Sequence, residues 1–125
     1  MAVGLDELCR IHSAAMEACG DIPTTLGASG AERLKNNLDT AARWALDARP
    51  VEALVVTVVS VLRAEAFQTG NYRTALLLAA VLIDRSALPA PADWMGVADG
   101  LVDLDFGNLS TAVQRVVALL GGEPR

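Results

Sequence analysis

Few residues in this chain could do chemistry, and they fall into two groups. The first lies near the start. His12 is the only histidine, and the only two cysteines are Cys9 and Cys19. On a helix these three share one face, an arrangement that invites a metal or a thiol–imidazole pair. The spacing weakens the metal reading. Cys9 and His12 are one turn apart, but ten residues separate the two thiols, about 15 Å along a helix axis. Both cannot reach one ion with Zn–S bonds near ~2.3 Å. A nucleophilic Cys9 would need a depressed thiol pKa and an oxyanion site, and nothing in the sequence supplies either. The expectation is a hydrogen-bonded histidine among small half-buried neighbours, with no metal.

The second group is acidic: Asp93, Asp99, Asp103 and Asp105. Asp99 and Asp103 are four residues apart and share a helix face. They could form a docking patch for a basic segment or an acid/base pair in a cleft; as a bland alternative they form a solvated face. If the protein were an enzyme, His12, Asp99 and Asp103 would be the residues to test. Gly27-Ala28-Ser29-Gly30 precedes a helix and could hold an anion, but no lysine follows it and no strand precedes it. A linker with a helix cap is the simpler reading. No phosphate-binding loop, dinucleotide fingerprint or nucleophile elbow is present, and no cofactor is implied.

Composition constrains what positions these residues. The 125-residue chain is 53% hydrophobic and 20% charged, with much Ala, Leu and Val. That points to one all-α domain. Net charge is −5, and nine of its ten basic residues are scattered arginines, which disfavours nucleic acid. The longest apolar run, Ala53–Leu62, is broken by Thr57 and Ser60 and falls short of the ~20 residues a bilayer needs. The N-terminal MAVGLDELCR lacks a basic region followed by an apolar one, so the expected location is cytoplasmic, with both cysteines reduced.

Periodicity and punctuation predict six helices. The first spans 4–19 and ends at Gly20 as a left-handed C′ residue. A loop over 21–30 is the longest irregular stretch and the expected mobile one. Ser29 and Glu32 read as a capping box for a helix running to about Ala48, where Arg49-Pro50 stops it. Residues 51–67 contain the β-branched run Val55–Val61, but the pattern is too long for a typical strand, which favours a helix apolar nearly all round. Gly70 would then be a C′ residue and Asn71 the cap of a helix over 72–85. Pro91 and Asp93 open a fifth helix carrying Trp94, Val97, Ala98, Leu101 and Leu104. Asn108 or Ser110 caps the last, with Val113, Val116, Val117, Leu119 and Leu120 on its apolar side. The expectation is three antiparallel αα-hairpins, at 4–48, 51–85 and 91–121.

Two of the turns are alike. Gly70-Asn71-Tyr72-Arg73-Thr74-Ala75-Leu76 matches Gly107-Asn108-Leu109-Ser110-Thr111-Ala112-Val113 at a spacing of 37 residues. The turn, with Trp94 near the start of a first helix, resembles the tetratricopeptide pattern Gly-x-Tyr-x-x-Ala. The resemblance covers about half the chain. It departs from the family in its period and in having Val97-Ala98 where the family has Leu-Gly, and 4–48 lacks the motif. It implies a stack of hairpins, with Gly70, Tyr72, Ala75, Trp94, Gly107, Leu109 and Ala112 at consensus positions. Tyr72, Trp94, Phe67 and Phe106 could line a groove or wedge hairpins together. The leading functional expectation is a protein–protein interaction module that binds a peptide or helix, through residues such as Tyr72, Trp94, Asp99 and Asp103, or self-associates as a homodimer. The alternative is a small helical enzyme or small-molecule-binding protein with an apolar pocket between helices.

Overall fold

The computed structural model describes residues 3–46, 50–104 and 107–120. Features read from the sequence at Asp47–Arg49, Asp105, Phe106 and Gly121–Arg125 lie outside the described residues, as do the side chains of Ala45, Leu46, Leu109, Ser110 and Val113. Six helices account for most of what is described: α1 (Leu5–Ala18), α2 (Ala28–Leu46), α3 (Pro50–Ala64), α4 (Asn71–Arg85), α5 (Trp94–Val102) and α6 (Leu109–Leu119). Among the described residues there is no strand, only one isolated antiparallel bridge between Leu26 and Phe67.

The protein is therefore all-α, as the composition predicts, and the β-branched run is helical. α3 tolerates that run because burial outweighs propensity. Ala53, Leu54, Val55, Val58, Val59, Val61 and Leu62 are all buried. The hydroxyl of buried Thr57, one turn after Ala53, donates to the Ala53 carbonyl at 2.7 Å, which satisfies a polar group that would otherwise be stranded in the core.

The helices pack as two rings that share α3 and α4. In one, α1 meets α4, α4 meets α3, α3 meets α2, and α2 meets α1 only lightly. In the other, α3, α4, α5 and α6 close the circuit through an α3–α6 contact. α1 thus leans more on α4 than on its sequence neighbour α2. The α1–α4 pairing is antiparallel. Glu7 in the first turn of α1 pairs with Arg85 in the last turn of α4. Asp21, just past the end of α1, pairs with Arg73 at the start of α4.

Two helices end in the same hydrogen-bonded motif with different residues at the left-handed position. After α1, Gly20 has φ 76°. Its N–H donates to Glu17 O at 3.0 Å, and Asp21 N–H reaches Met16 O at 2.9 Å. After α4, Ala87 takes that place with φ 53°. Its N–H donates to Asp84 O at 3.2 Å, and Leu88 N–H reaches Ile83 O at 3.1 Å. Both are Schellman closures. Alanine there carries a Cβ penalty that glycine avoids, on the order of 1 kcal/mol.

Several local expectations are corrected. α2 starts at Ala28, with Ala31 N–H on the Gly27 carbonyl at 2.8 Å, so Ser29 lies inside the helix rather than capping it. α3 ends at Ala64, short of Phe67, with Glu65 at φ 44° just beyond. The Arg33 guanidinium from α2 donates to the freed Ala64 carbonyl at 3.1 Å. Gly70 is left-handed, with φ 77°, but it precedes α4 as its N-cap rather than closing α3. Asn71 does not cap α4. Its amide brackets Phe67, accepting from Phe67 N–H at 3.2 Å and donating to Phe67 O at 2.9 Å. Asn108 does cap its helix, accepting from Thr111 N–H at 3.1 Å.

Candidate functional site

The segment between α1 and α2, expected to be mobile, is tied down along its length. Asp21 pairs with Arg73, Thr24 bonds to His12, Leu26 bridges to Phe67, and Gly27 N–H donates to Ala66 O at 2.9 Å. Gly30 permits the approach, because a Cβ there would sit 2.7 Å from the Ala66 Cβ.

His12 is the centre of this arrangement and is 1% exposed. Its hydrogen bonds fix its tautomer. Thr24 N–H can only donate, and it points at Nε2 at 3.1 Å. Nε2 therefore carries a lone pair and Nδ1 the proton. The Thr74 hydroxyl donates to Gly70 O at 2.7 Å, which leaves its oxygen free to accept from Nδ1–H at 2.8 Å. The Thr24 hydroxyl also lies 3.1 Å from Nε2. Phe67 stacks on the imidazole at 3.9 Å between centroids and 7° between planes. Burial, with Arg73 adding to it, holds the imidazole pKa below its ordinary 6.5, so the ring is neutral at physiological pH. Both nitrogens are committed to protein partners. His12 here joins α1, the 19–27 segment, Phe67 and α4.

The cysteines separate. Cys9 is half-buried, and Cys19 is exposed rather than on the buried stripe. Burial, and secondarily Asp6, pushes the Cys9 thiol pKa up, which lowers its nucleophilicity at neutral pH. Among the described residues no cluster of three or more His, Cys, Asp or Glu side chains could hold a metal.

Of the acidic candidates, Asp93, Asp99 and Asp103 lie on α5 or at its ends, and among the described residues α5 makes no contact with α1, which carries His12. Asp93 is the N-cap, accepting from Gly96 N–H at 3.0 Å. Trp94 begins the helix, half-buried against the core. Asp99 is exposed, and Asp103 is the exposed C-cap. Val97 and Leu101 face inward at 2% and 1% exposure, whereas Met95 and Val102 are 74% and 58% exposed. The outer face of α5 thus reads Met95, Asp99, Val102, an i, i+4, i+7 stripe. Tyr72 lies apart from it in sequence and element, 43% exposed on the first turn of α4. Met95 and Val102 were not singled out from sequence. The signal was available, since both fall on the face opposite Val97 and Leu101.

A second feature had no sequence signature. A cavity of about 120 Å³ lies among Val51 and Leu54 of α3, Ile83 of α4, Leu88 and Pro89 beyond it, and Val117 and Leu120 of α6. Every described residue that lines it is apolar. A hollow of about 280 Å³ between α1 and α2 is different in kind, mixing Val3, Gly4, Leu5 and Leu38 with Asp6, Lys35 and Asp39.

Compared with protein-family models, curated proteins and solved structures, the chain gives no match. Fold and surfaces alone define its class: an all-α bundle of two helix rings sharing a central pair, with no described helix long and apolar enough to cross a membrane.

Proposed function

We propose that the protein is an interaction module whose docking surface is the outer face of α5. The observation that carries this reading is the stripe Met95–Asp99–Val102. Two large apolar side chains are mostly in water on a short helix whose helix contacts, among the described residues, are with α4 and α6. Asp99 lies between them and Asp103 at the helix end. An apolar stripe with carboxylates beside it suits an amphipathic partner segment with basic residues flanking its apolar side. The chain's own charge of −5 works against a second copy presenting the same acidic face. The tetratricopeptide-like reading belongs to the same proposal. It rests on the repeated Gly-Asn turn and on α3 packing against α4 and α5 against α6.

The test is a photo-crosslinking residue placed at 95 or 102 in cells of origin, with Asn37, exposed on α2, as the control position. A discrete adduct at both α5 positions, absent at 37 and lost when Asp99 and Asp103 are changed to Lys, is the expected result. A dimer of the chain itself, or the same adducts from position 37, would overturn the assignment of a basic partner segment.

A further inference from the structure

The cavity at the C-terminal end of α4 is independent of the α5 surface. We infer that it is a binding site for a small apolar molecule, of the size of one aromatic ring or a short branched hydrocarbon.

Three features support this. The first is shape and chemistry together. About 120 Å³ is bounded on the protein side by Val51, Leu54, Ile83, Leu88, Val117 and Leu120, with Pro89 at the edge. A half-open apolar pocket of this order suits a benzene-sized guest, because the described lining offers water no hydrogen-bond partner and filling it removes apolar surface from solvent. The second is access. Leu54 and Ile83 form a buried floor at 1% and 5% exposure, while Val51 is 40% exposed and Pro89 is exposed. The volume therefore opens to solvent on the Val51–Pro89 side. The third is construction. The wall at Leu88 is held by the Schellman closure that places a non-glycine residue, Ala87, at φ 53°. That closure turns Leu88 back beside Ile83. Both residues line the cavity, so the costly backbone shapes the wall. A guest would restore the contacts that the lining side chains lack, and any polar substituent on it would face the open side.

The probe is benzene, titrated into the full chain and followed by methyl-resolved NMR and thermal unfolding. The expected result is a saturable shift confined to the methyls of Leu54, Ile83, Leu88 and Val117, with Leu8 and Val58 unmoved and the melting temperature raised in step. Val117→Phe, which places a ring in the volume, should remove both responses. Val117→Leu serves as a milder filling variant and should weaken them. Shifts spread over the whole core, no saturation, or an undiminished response in a folded Val117→Phe protein would overturn the assignment. So would the absence of any benzene-dependent change in the unsubstituted chain.

Discussion

At the N-terminal end of α4, the chain closes on itself with polar precision. Thr74, Gly70, His12 and Thr24 form one chain of hydrogen bonds, and Phe67 covers the imidazole. At the C-terminal end, about 21 Å away for a 15-residue helix, α4 meets α3 and α6 around an apolar volume left unfilled. One helix thus carries a satisfied polar node at one end and a void at the other. The node cannot relax without stranding a donor, so it specifies where four segments meet. The void strands nothing polar, so it can be left open at a cost in packing alone. A residue with chemical potential is not the same as a site. The only histidine serves the rigid end, and the apolar volume at the other end has no titratable side chain among its described lining residues.

The largest effect is expected at His12. His12→Ala should destabilise by roughly 3–4 kcal/mol in urea unfolding, since it removes a stacked ring from the core and leaves Thr24 N–H without its acceptor. A loss below 1 kcal/mol would mean the node is not what anchors the 19–27 segment. The same residue sets the response to acid. Its folded pKa lies below the ordinary 6.5, so the unfolded chain takes up the proton first. Stability from this group is full above about pH 6.5 and falls as the pH drops below it, at up to about 1.4 kcal/mol per unit. Urea midpoints measured between pH 7.5 and 5 should show that slope, and His12→Gln should flatten it. Glu7, whose carboxyl is held below its ordinary 4.5 chiefly by its hydrogen bond from Arg85, acts only in the more acid range.

How much of this the sequence discloses follows from the range of each interaction. Helix number and class are readable because periodicity, Pro50 and Gly20 are local signals. The buried state of His12 is readable from its place on an apolar stripe. Its partners are not, because Thr24 and Thr74 come from other segments, 12 and 62 residues away. Asn71 and Asn108 stand in the same dipeptide, yet one brackets Phe67 and the other caps α6. What differs is the chain before each turn, where Phe67 is pinned to Leu26. The left-handed Ala87 is not readable, because alanine in that conformation has no compositional mark. Nor is the cavity, because it exists only where three helix ends come together. Met95 and Val102 are legible, since helical spacing puts both on the face opposite Val97 and Leu101.

At the cavity end, Ala87→Gly sharpens the contrast. Glycine relieves the left-handed Cβ penalty but adds freedom to the unfolded chain, so the net gain should be about 0.5–1 kcal/mol. Equilibrium unfolding should show that gain with the benzene response intact. A loss of stability would mean that the alanine methyl packs against something the closure needs.

The smallest effects come from the two ion pairs that clamp α1 to α4, one at each end. Both are largely in water, so salt should screen them and neither should rival the node. They should still differ in order. Arg85 lies in the last turn of α4, where the helix dipole favours a cation, and it grips Glu7 with both guanidinium nitrogens. Arg73 lies in the first turn, where the dipole opposes it, and it reaches Asp21 through one nitrogen. Arg85→Gln should therefore lower the melting temperature more than Arg73→Gln at low salt, with the gap closing near 1 M salt. The reverse order would mean that Arg73 matters through the segment Asp21 helps to fasten, which would make the ion pair part of the rigid end rather than an accessory to it.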